Sequence, residues 1–368
     1  MLLTFVCLGD VVAITAGAVV LWRTPWRGPS REGLLLALLT LATLVLLGGG
    51  AKCLAGGFAM MRGLCHALFC VLLPLFVLRA VRLVAVARAC ATCLAITAVA
   101  GEGCYLWACL VEPFRLEVTT ATITSPRLAG IRPLRIAVVA DLQTDAITPW
   151  EVAVFDRLVA EAPDLVLYAG DYLQLRSPEF ECELPALQAQ LRRLRPPLGS
   201  FAVDGDVDVH GAEAVFAGTD VQVLRDATVS LPDLPIDVVG LTRMRSRAPF
   251  VDAGTVRRLG GTRFPIVLGH APDFMLSALR DGLDRDALFV AGHTHGGQVQ
   301  VPWFGPIVTL SAVPRWLAGG GVFRHGSTWL ACSRGIGMER DHAPRVRFLC
   351  RPQLLLLELG GAPDPNRR

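Results

Sequence analysis

Four apolar stretches, each close to the length of a membrane-crossing helix, crowd the first 112 residues of this 368-residue chain, and few folds can hold them. A hydrocarbon core about 30 Å thick needs roughly 20 apolar residues in helix. The stretches run from about 3 to 22, 34 to 51, 63 to 79 and 89 to 111. Their breaks are marked by Arg23, Arg27 and Arg31 with Pro25 and Pro29, then by Lys52 and Arg62, then by Arg79, Arg82 and Arg88. Holding the last three arginines in mid-bilayer would cost roughly 8 to 10 kcal/mol, so that break reads as a loop. Residues 1–112 therefore read as a multi-span α-helical region of about four helices, with the lipid bilayer as its partner.

The first stretch has no positive leader, is long, and is followed at once by further apolar segments, so it reads as a retained span rather than a cleaved signal. Asp10 within it is either an intramembrane acid or an interfacial residue. The first and third loops carry three arginines each and the second only Lys52 and Arg62. Basic loops stay cytoplasmic, so an even number of spans puts the C-terminal domain on the extracytoplasmic side of a multi-pass cell-membrane protein. Eight of the 11 cysteines lie in this apolar third; Cys182, Cys332 and Cys350 beyond it make no disulfide framework. Cys90 and Cys93 have CxxC spacing inside an apolar run, with no second pair nearby, and read as small residues of a span.

From residue 113 to 368 short apolar runs alternate with mixed, helix-like segments, the texture of an α/β or α+β domain. Strands are expected over Leu134 to Ala140, Asp164 to Ala169, Ser200 to Val203, Ile236 to Leu241, Phe264 to Leu268, Ala287 to Ala291 and Trp329 to Cys332. Helices are expected over Trp150 to Ala162 and Pro272 to Asp281, the second opened by proline at its first turn. With a net charge of +3, arginines scattered and no interleaved aromatics, no nucleic acid is expected as a partner.

Five of these apolar runs deliver a metal-ligand residue to the loop that follows. Asp141 follows LRIAVVA, Asp171 follows DLVLYA and Gly170, and Asp206 follows SFAVD and Gly205. His270 follows FPIVL and Gly269; His293 and His295 follow ALFVA and Gly292. Singly, an aspartate after a strand is usually a turn or cap residue. His293 and His295 are more pointed, because residues two apart in extended chain share a face.

In order and spacing, DLQ (141 to 143), GD (170 to 171), GDVD (205 to 208), GHAPD (269 to 273) and GHTHGGQ (292 to 298) resemble the calcineurin-like metallophosphoesterases. That family's usual signature is DxH, GD, GNH[DE], a lone His and GHxH. The GHTHGGQ, GHAPD and SRGIG (333 to 337) runs look most like its membrane-associated bacterial branch, some members of which act on lipid-linked phosphoesters. The resemblance implies a four-layer α/β/β/α sandwich with two divalent metal ions, among Mn, Fe, Zn and Mg. Asp141, Gln143, Asp171 and His295 would form one metal site, and Asp206, His270 and His293 the other, with Asp171 bridging.

Three positions depart from the signature. Gln143 replaces an imidazole and Asp206 a neutral amide, a change toward harder cations such as Mn or Mg. Val207 stands where a histidine would stabilise the transition state or protonate the leaving oxygen. His210 would have to fold inward to replace it; the plainer reading is a solvent-facing loop histidine. The expectation is a membrane-anchored phosphoester or pyrophosphate hydrolase acting on a phosphorylated small molecule or lipid. The alternative is a metal-binding sensor or scaffold of the same fold that has lost turnover. A channel or transporter with a merely structural soluble domain is disfavoured by the scarcity of intramembrane charge.

Overall fold

The computed structural model describes residues 2–247, 261–280 and 284–361. The chain divides into two compact units, Met1–Val111 with Glu339–Arg345, and Glu112–Met338 with Val346–Arg368.

The first unit is helical. Leu2–Arg23 is followed by helix from Pro29 to Leu83 and by Arg88–Leu110. Proline at the first position opens the second helix, and π-type turns interrupt it at Val45–Gly49 and His66–Leu72. The break expected between Lys52 and Arg62 is a sharp one at Ala55 and Gly56, where Gly56 takes φ 84°. Only a residue without Cβ adopts that angle readily. Among the described residues, two helical stretches, Pro29–Leu83 and Arg88–Phe114, are long and apolar enough to cross a membrane. Leu34, Leu38, Leu41 and Val45 form an exposed stripe on one of them. Ile96, Val99, Leu106 and Leu110 form another on the last helix. Spacings of three, four and seven put each set on one helix face.

Arg79 departs from its expected place in a loop. It lies inside the second helix, fully buried, with Nε and Nη2 each 2.6 Å from Glu32 and Nη1 donating to the carbonyls of Leu21 and Thr24. A bidentate carboxylate and two carbonyls satisfy the guanidinium where water is excluded.

The second unit contains fourteen strands among the described residues. In chain order they are β1 (Glu117–Thr124), β2 (Leu134–Val139), β3 (Leu165–Tyr168), β4 (Ser200–Ala202), β5 (Val221–Val223), β6 (Ala227–Ser230) and β7 (Ile236–Gly240). There follow β8 (Phe264–Leu268), β9 (Ala287–Ala291), β10 (Gln300–Val301), β11 (Gly305–Pro306), β12 (Gly321–His325), β13 (Thr328–Cys332) and β14 (Gln353–Gly360). One mixed sheet has the order β1-β14-β2-β3-β4-β5 and the other β12-β13-β9-β8-β7-β6; β10 and β11 form a small hairpin. Strands β2 to β5 run parallel, as do β7, β8, β9 and β13, so the ligand-bearing strands of each sheet end on one edge.

Alternation along the strands builds the layers. Ile136, Val138, Leu165 and Leu167 face Ile236, Val238, Leu288 and Val290 across the middle of the sandwich. Ala137, Val139 and Val166 face outward onto Val154, Phe155 and Leu158 of helix Pro149–Ala160 and Leu187 and Leu191 of helix Glu179–Leu191. On the far side Val239, Val267 and Phe289 pack on Phe274, Met275, Ala278 and Leu317. This is the four-layer α/β/β/α arrangement. The first helix starts where Thr148 and Glu151 form a capping box behind Pro149. Where a helix was expected from Pro272, a 3₁₀ turn over Pro272–Met275 leads into Leu276–Leu279; Asp281 lies outside the described residues.

Candidate metal centre

The loops leaving β2, β3 and β4 meet those leaving β8 and β9. The approach is close: a Cβ at Gly170 would stand 2.6 Å from His270 Nδ1, and one at Gly205 2.1 Å from Asp171 Oδ1. Glycine is the residue that lets these loops touch. Asp141, Gln143, Asp171, His293 and His295 all hold left-handed backbone, with φ of 47°, 32°, 59°, 72° and 50°. Such angles are uncommon away from glycine and gather at functional sites.

Two groups of side chains offer ligand atoms within 4.8 Å of one another: Asp141, Asp171 and His270, and Asp206, His270 and His293. His270 Nε2 is 3.3 Å from Asp171 Oδ2 and 3.2 Å from His293 Nδ1, and His293 Nδ1 is 3.3 Å from Asp206 Oδ2. The outer nitrogens are held by main-chain carbonyls. His270 Nδ1 lies 2.8 Å from Ala169 O and His293 Nε2 3.0 Å from Leu310 O. A carbonyl accepts only from N–H, so it fixes the tautomer and turns the other nitrogen's lone pair inward, as in metal-bound histidines. His270 is the residue common to both groups.

His295 is almost completely buried, and neither of its ring nitrogens has a hydrogen-bond partner. Burial, helped by Arg347, holds its imidazole well below the usual histidine range. A buried imidazole left neutral and unpaired costs stability unless something takes its lone pair. A cation does so. The donor set of carboxylates and imidazoles thus fits the divalent metals that the sequence implies.

The charges fit as well. Burial alone would lower His270, but Asp171, Asp141 and Asp206 outweigh it and push the imidazole up to about 10. Burial pushes Asp141 up to about 8 even with His270 beside it. Asp171, which burial would raise, is held down at about 2 by His270 and by the Val207 N–H, 2.9 Å from Oδ1. Without a cation, the carboxylates therefore keep a proton on His270.

Each expected ligand has a definite place. Asp141 is buried, its carboxylate accepting the His293 N–H at 2.9 and 3.0 Å. The Gln143 N–H donates to the Asp171 carbonyl at 2.9 Å, and its side-chain amide donates to Gln174 at 3.0 Å. Asp206 is the half-buried one; its Oδ2 also meets Arg247 Nη1 at 2.6 Å. His210 faces away from the centre: exposed, it stacks on Phe180 at 4.0 Å.

Two residues matter here that the motifs did not single out as site residues. The Asp208 carboxylate accepts the N–H groups of Asp171, Tyr172 and Gly205, tying together the loops that carry Asp171 and Asp206. Its place as the last residue of GDVD was the available signal. Arg347 is fully buried and donates to the carbonyls of Gly337, Gly335, Arg334 and Cys350, bracing the SRGIG turn against Asp141. Nothing local in the sequence marks it.

No family model matches the chain. It is 30% identical over 278 residues to the uncharacterized metallophosphoesterase YkuE of Bacillus subtilis, covering 72% of this chain and 93% of that one. It is 27% identical over 242 residues to phosphodiesterase YaeI of Escherichia coli (62% and 82%). It is 26% identical over 317 residues to the UDP-2,3-diacylglucosamine pyrophosphatase LpxG of Chlamydia trachomatis (69% and 92%). Taken with a sandwich whose two sheets bring aspartates and histidines to one edge, the relationship to YkuE shows that the chain belongs to the calcineurin-like metallophosphoesterase family.

Proposed function

We propose that the protein is a metal-dependent phosphoester or pyrophosphate hydrolase, anchored in the membrane by its N-terminal helices and acting on a lipid-linked substrate. The observation that carries this reading is the convergence of Asp141, Asp171, Asp206, His270 and His293 on two overlapping ligand groups. Asp141, Gln143, Asp171 and His295 would hold one cation and Asp206, His270 and His293 the other, with Asp171 between them. When bound, two divalent cations would activate water and neutralise charge on both the attacking and the leaving oxygen of a phosphoryl transfer. Ala169 and Leu310 keep the imidazoles aimed inward, and Asp208 keeps the aspartate loops in register. Gln143 and Asp206 favour Mn or Mg over Zn.

The substrate class follows from two observations. The exposed stripes on Pro29–Leu83 and Arg88–Leu110 suit acyl chains rather than water. The pyrophosphatase LpxG, a relative over most of its length, is named for a diacylated nucleotide sugar. A pyrophosphate also suits the absence of an imidazole at Val207, because a nucleotide leaves without needing a proton. General acids typically contribute 10² to 10⁴-fold, which a good leaving group makes dispensable. We place the centre on the extracytoplasmic face, from the arginines flanking the first and third breaks.

Val207 and the outward His210 favour a second reading, a metal-binding scaffold without turnover. The test is hydrolysis of bis-p-nitrophenyl phosphate by the full chain in detergent micelles, metal-stripped and reloaded with Mn, Mg, Zn or Fe. Metal-dependent turnover that Asp171→Ala abolishes is the expected result. Stoichiometric metal binding with no turnover would replace the hydrolase with the scaffold.

A further inference from the structure

Two guanidinium groups meet Asp206 at the edge of the ligand cluster, and neither belongs to a motif. Arg247 Nη1 is 2.6 Å from Asp206 Oδ2. Arg243, at the start of the short helix Arg243–Ser246 beyond β7, lies with Nε 3.8 Å from Asp206 Oδ1 and Nη1 3.5 Å from the Asp206 carbonyl. The same Asp206 Oδ2 is 3.3 Å from His293 Nδ1, so the guanidiniums touch the edge of the ligand cluster itself. Both side chains are nearly half exposed, 49% and 45%, while His270 and Asp171 of the cluster are buried.

Two of the departures from the family signature are adjacent here. Asp206 adds a negative charge where the signature has a neutral amide, and Val207 removes an imidazole. An arginine on Asp206 answers both. It offsets the added carboxylate, and a guanidinium has further N–H groups beyond the one that meets Asp206 to offer a phosphoryl oxygen. Guanidinium is planar, always charged and matched to phosphate oxygens two at a time.

We propose that Arg247, with Arg243 beside it, binds the substrate phosphoryl group and stabilises its transition state in place of the imidazole missing at Val207. The inference rests on the hydrolase reading above and deepens it. An arginine cannot give up its proton, so it replaces the electrostatic role of a histidine and not the acid role. The site is therefore selective for substrates with good leaving groups, such as phosphoanhydrides and nucleotidyl esters, over alkyl phosphomonoesters.

The test uses the full chain in detergent with R247A, R247K, R243A and the double variant V207H/R247A. Metal content, turnover and orthophosphate affinity by calorimetry are measured for each. In R247A the metal content should be unchanged, kcat should fall by about 10²-fold, as when one oxyanion donor is lost, and orthophosphate should bind at least about tenfold more weakly. V207H in that background should restore part of the turnover and flatten its dependence on leaving-group pKa. If R247A and R243A both keep kcat, KM and phosphate affinity, or if R247A instead loses metal, the arginines only balance Asp206 and the proposal is wrong. If the wild-type chain binds metal without turnover, the hydrolase reading fails, and phosphate affinity alone decides whether Arg247 is an anion-binding residue.

Discussion

At the scale of single residues, the centre is built to hold positive charge in one small volume. The ionised Asp171 keeps a proton on His270, whose imidazole is raised to about 10, and burial keeps one on Asp141, raised to about 8. Both groups therefore carry protons at neutral pH in the metal-free protein, and both must release them to ligate. Metal affinity should rise with pH across the neutral range, approaching tenfold per pH unit for each proton released. Isothermal titration with Mn at several pH values, in buffers of different ionisation enthalpy, counts those protons; a pH-independent affinity would contradict the assignment of His270. Asp208 accepts three N–H groups and belongs to neither ligand group. Asp208→Asn would turn an NH₂ toward one of those donors and leave it unsatisfied, at a cost of about 1 to 3 kcal/mol. Loss of an outer partner of this kind typically weakens metal binding 10 to 100-fold. A lowered melting temperature together with weaker Mn binding is expected; a change in neither would show that the brace is dispensable.

At the scale of elements, β14 lies between β1 and β2 and has one face in each core. Leu355, Leu357 and Leu359 enter the inter-sheet layer, while Leu354 and Leu356 face the helices. Leu357→Ala should destabilise the second unit by about 2 to 5 kcal/mol, the usual range for a buried leucine, measured by denaturant unfolding. The ligand set should survive, because Leu357 touches none of it. In the helical unit, the ion pair of Arg79 and Glu32 has both partners buried. Removing one partner strands the other charge, which typically costs about 3 to 5 kcal/mol. Glu32→Ala should therefore lower the thermal stability of the unit in micelles far more than Arg82→Ala, an outcome that differential scanning fluorimetry can refuse.

At the scale of the whole molecule, the question is which side of the membrane the second unit occupies. Cys182 is exposed, whereas Cys332 and Cys350 are buried, so one cysteine of that unit's three reports on its surroundings. If the unit is extracytoplasmic, a membrane-impermeant maleimide should label Cys182 in intact cells, and Cys182→Ser should remove that label. Labelling that appears only after lysis would reverse the orientation.

Much of the architecture was legible along the chain. Strands β8 and β9 fall where uninterrupted apolar runs end in glycine, and β2, β3, β4, β7 and β13 differ from expectation by only a residue or so at either end. Six of the seven expected ligands stand in the loops after such runs, because a parallel strand buried on both faces announces itself by composition and delivers the residues after it to the sheet edge, whereas Gln143 was expected only from the family resemblance. Strand β14 was not legible: LLLL has no period, and a run of that kind serves a helix or a strand equally until its neighbours are known. The helix runs past Arg79 to Leu83, where the sequence predicts a break, because the charge of Arg79 is cancelled by Glu32, 47 residues away. The outward turn of His210, the bracing by Asp208 and Arg347, and the approach of Arg243 and Arg247 to Asp206 are likewise contacts between distant segments. Residue identities and local period fix what a segment can be, and they reach only a few positions along the chain. Which of several satisfied partners a side chain takes is decided when the sheets pack and bring those segments together.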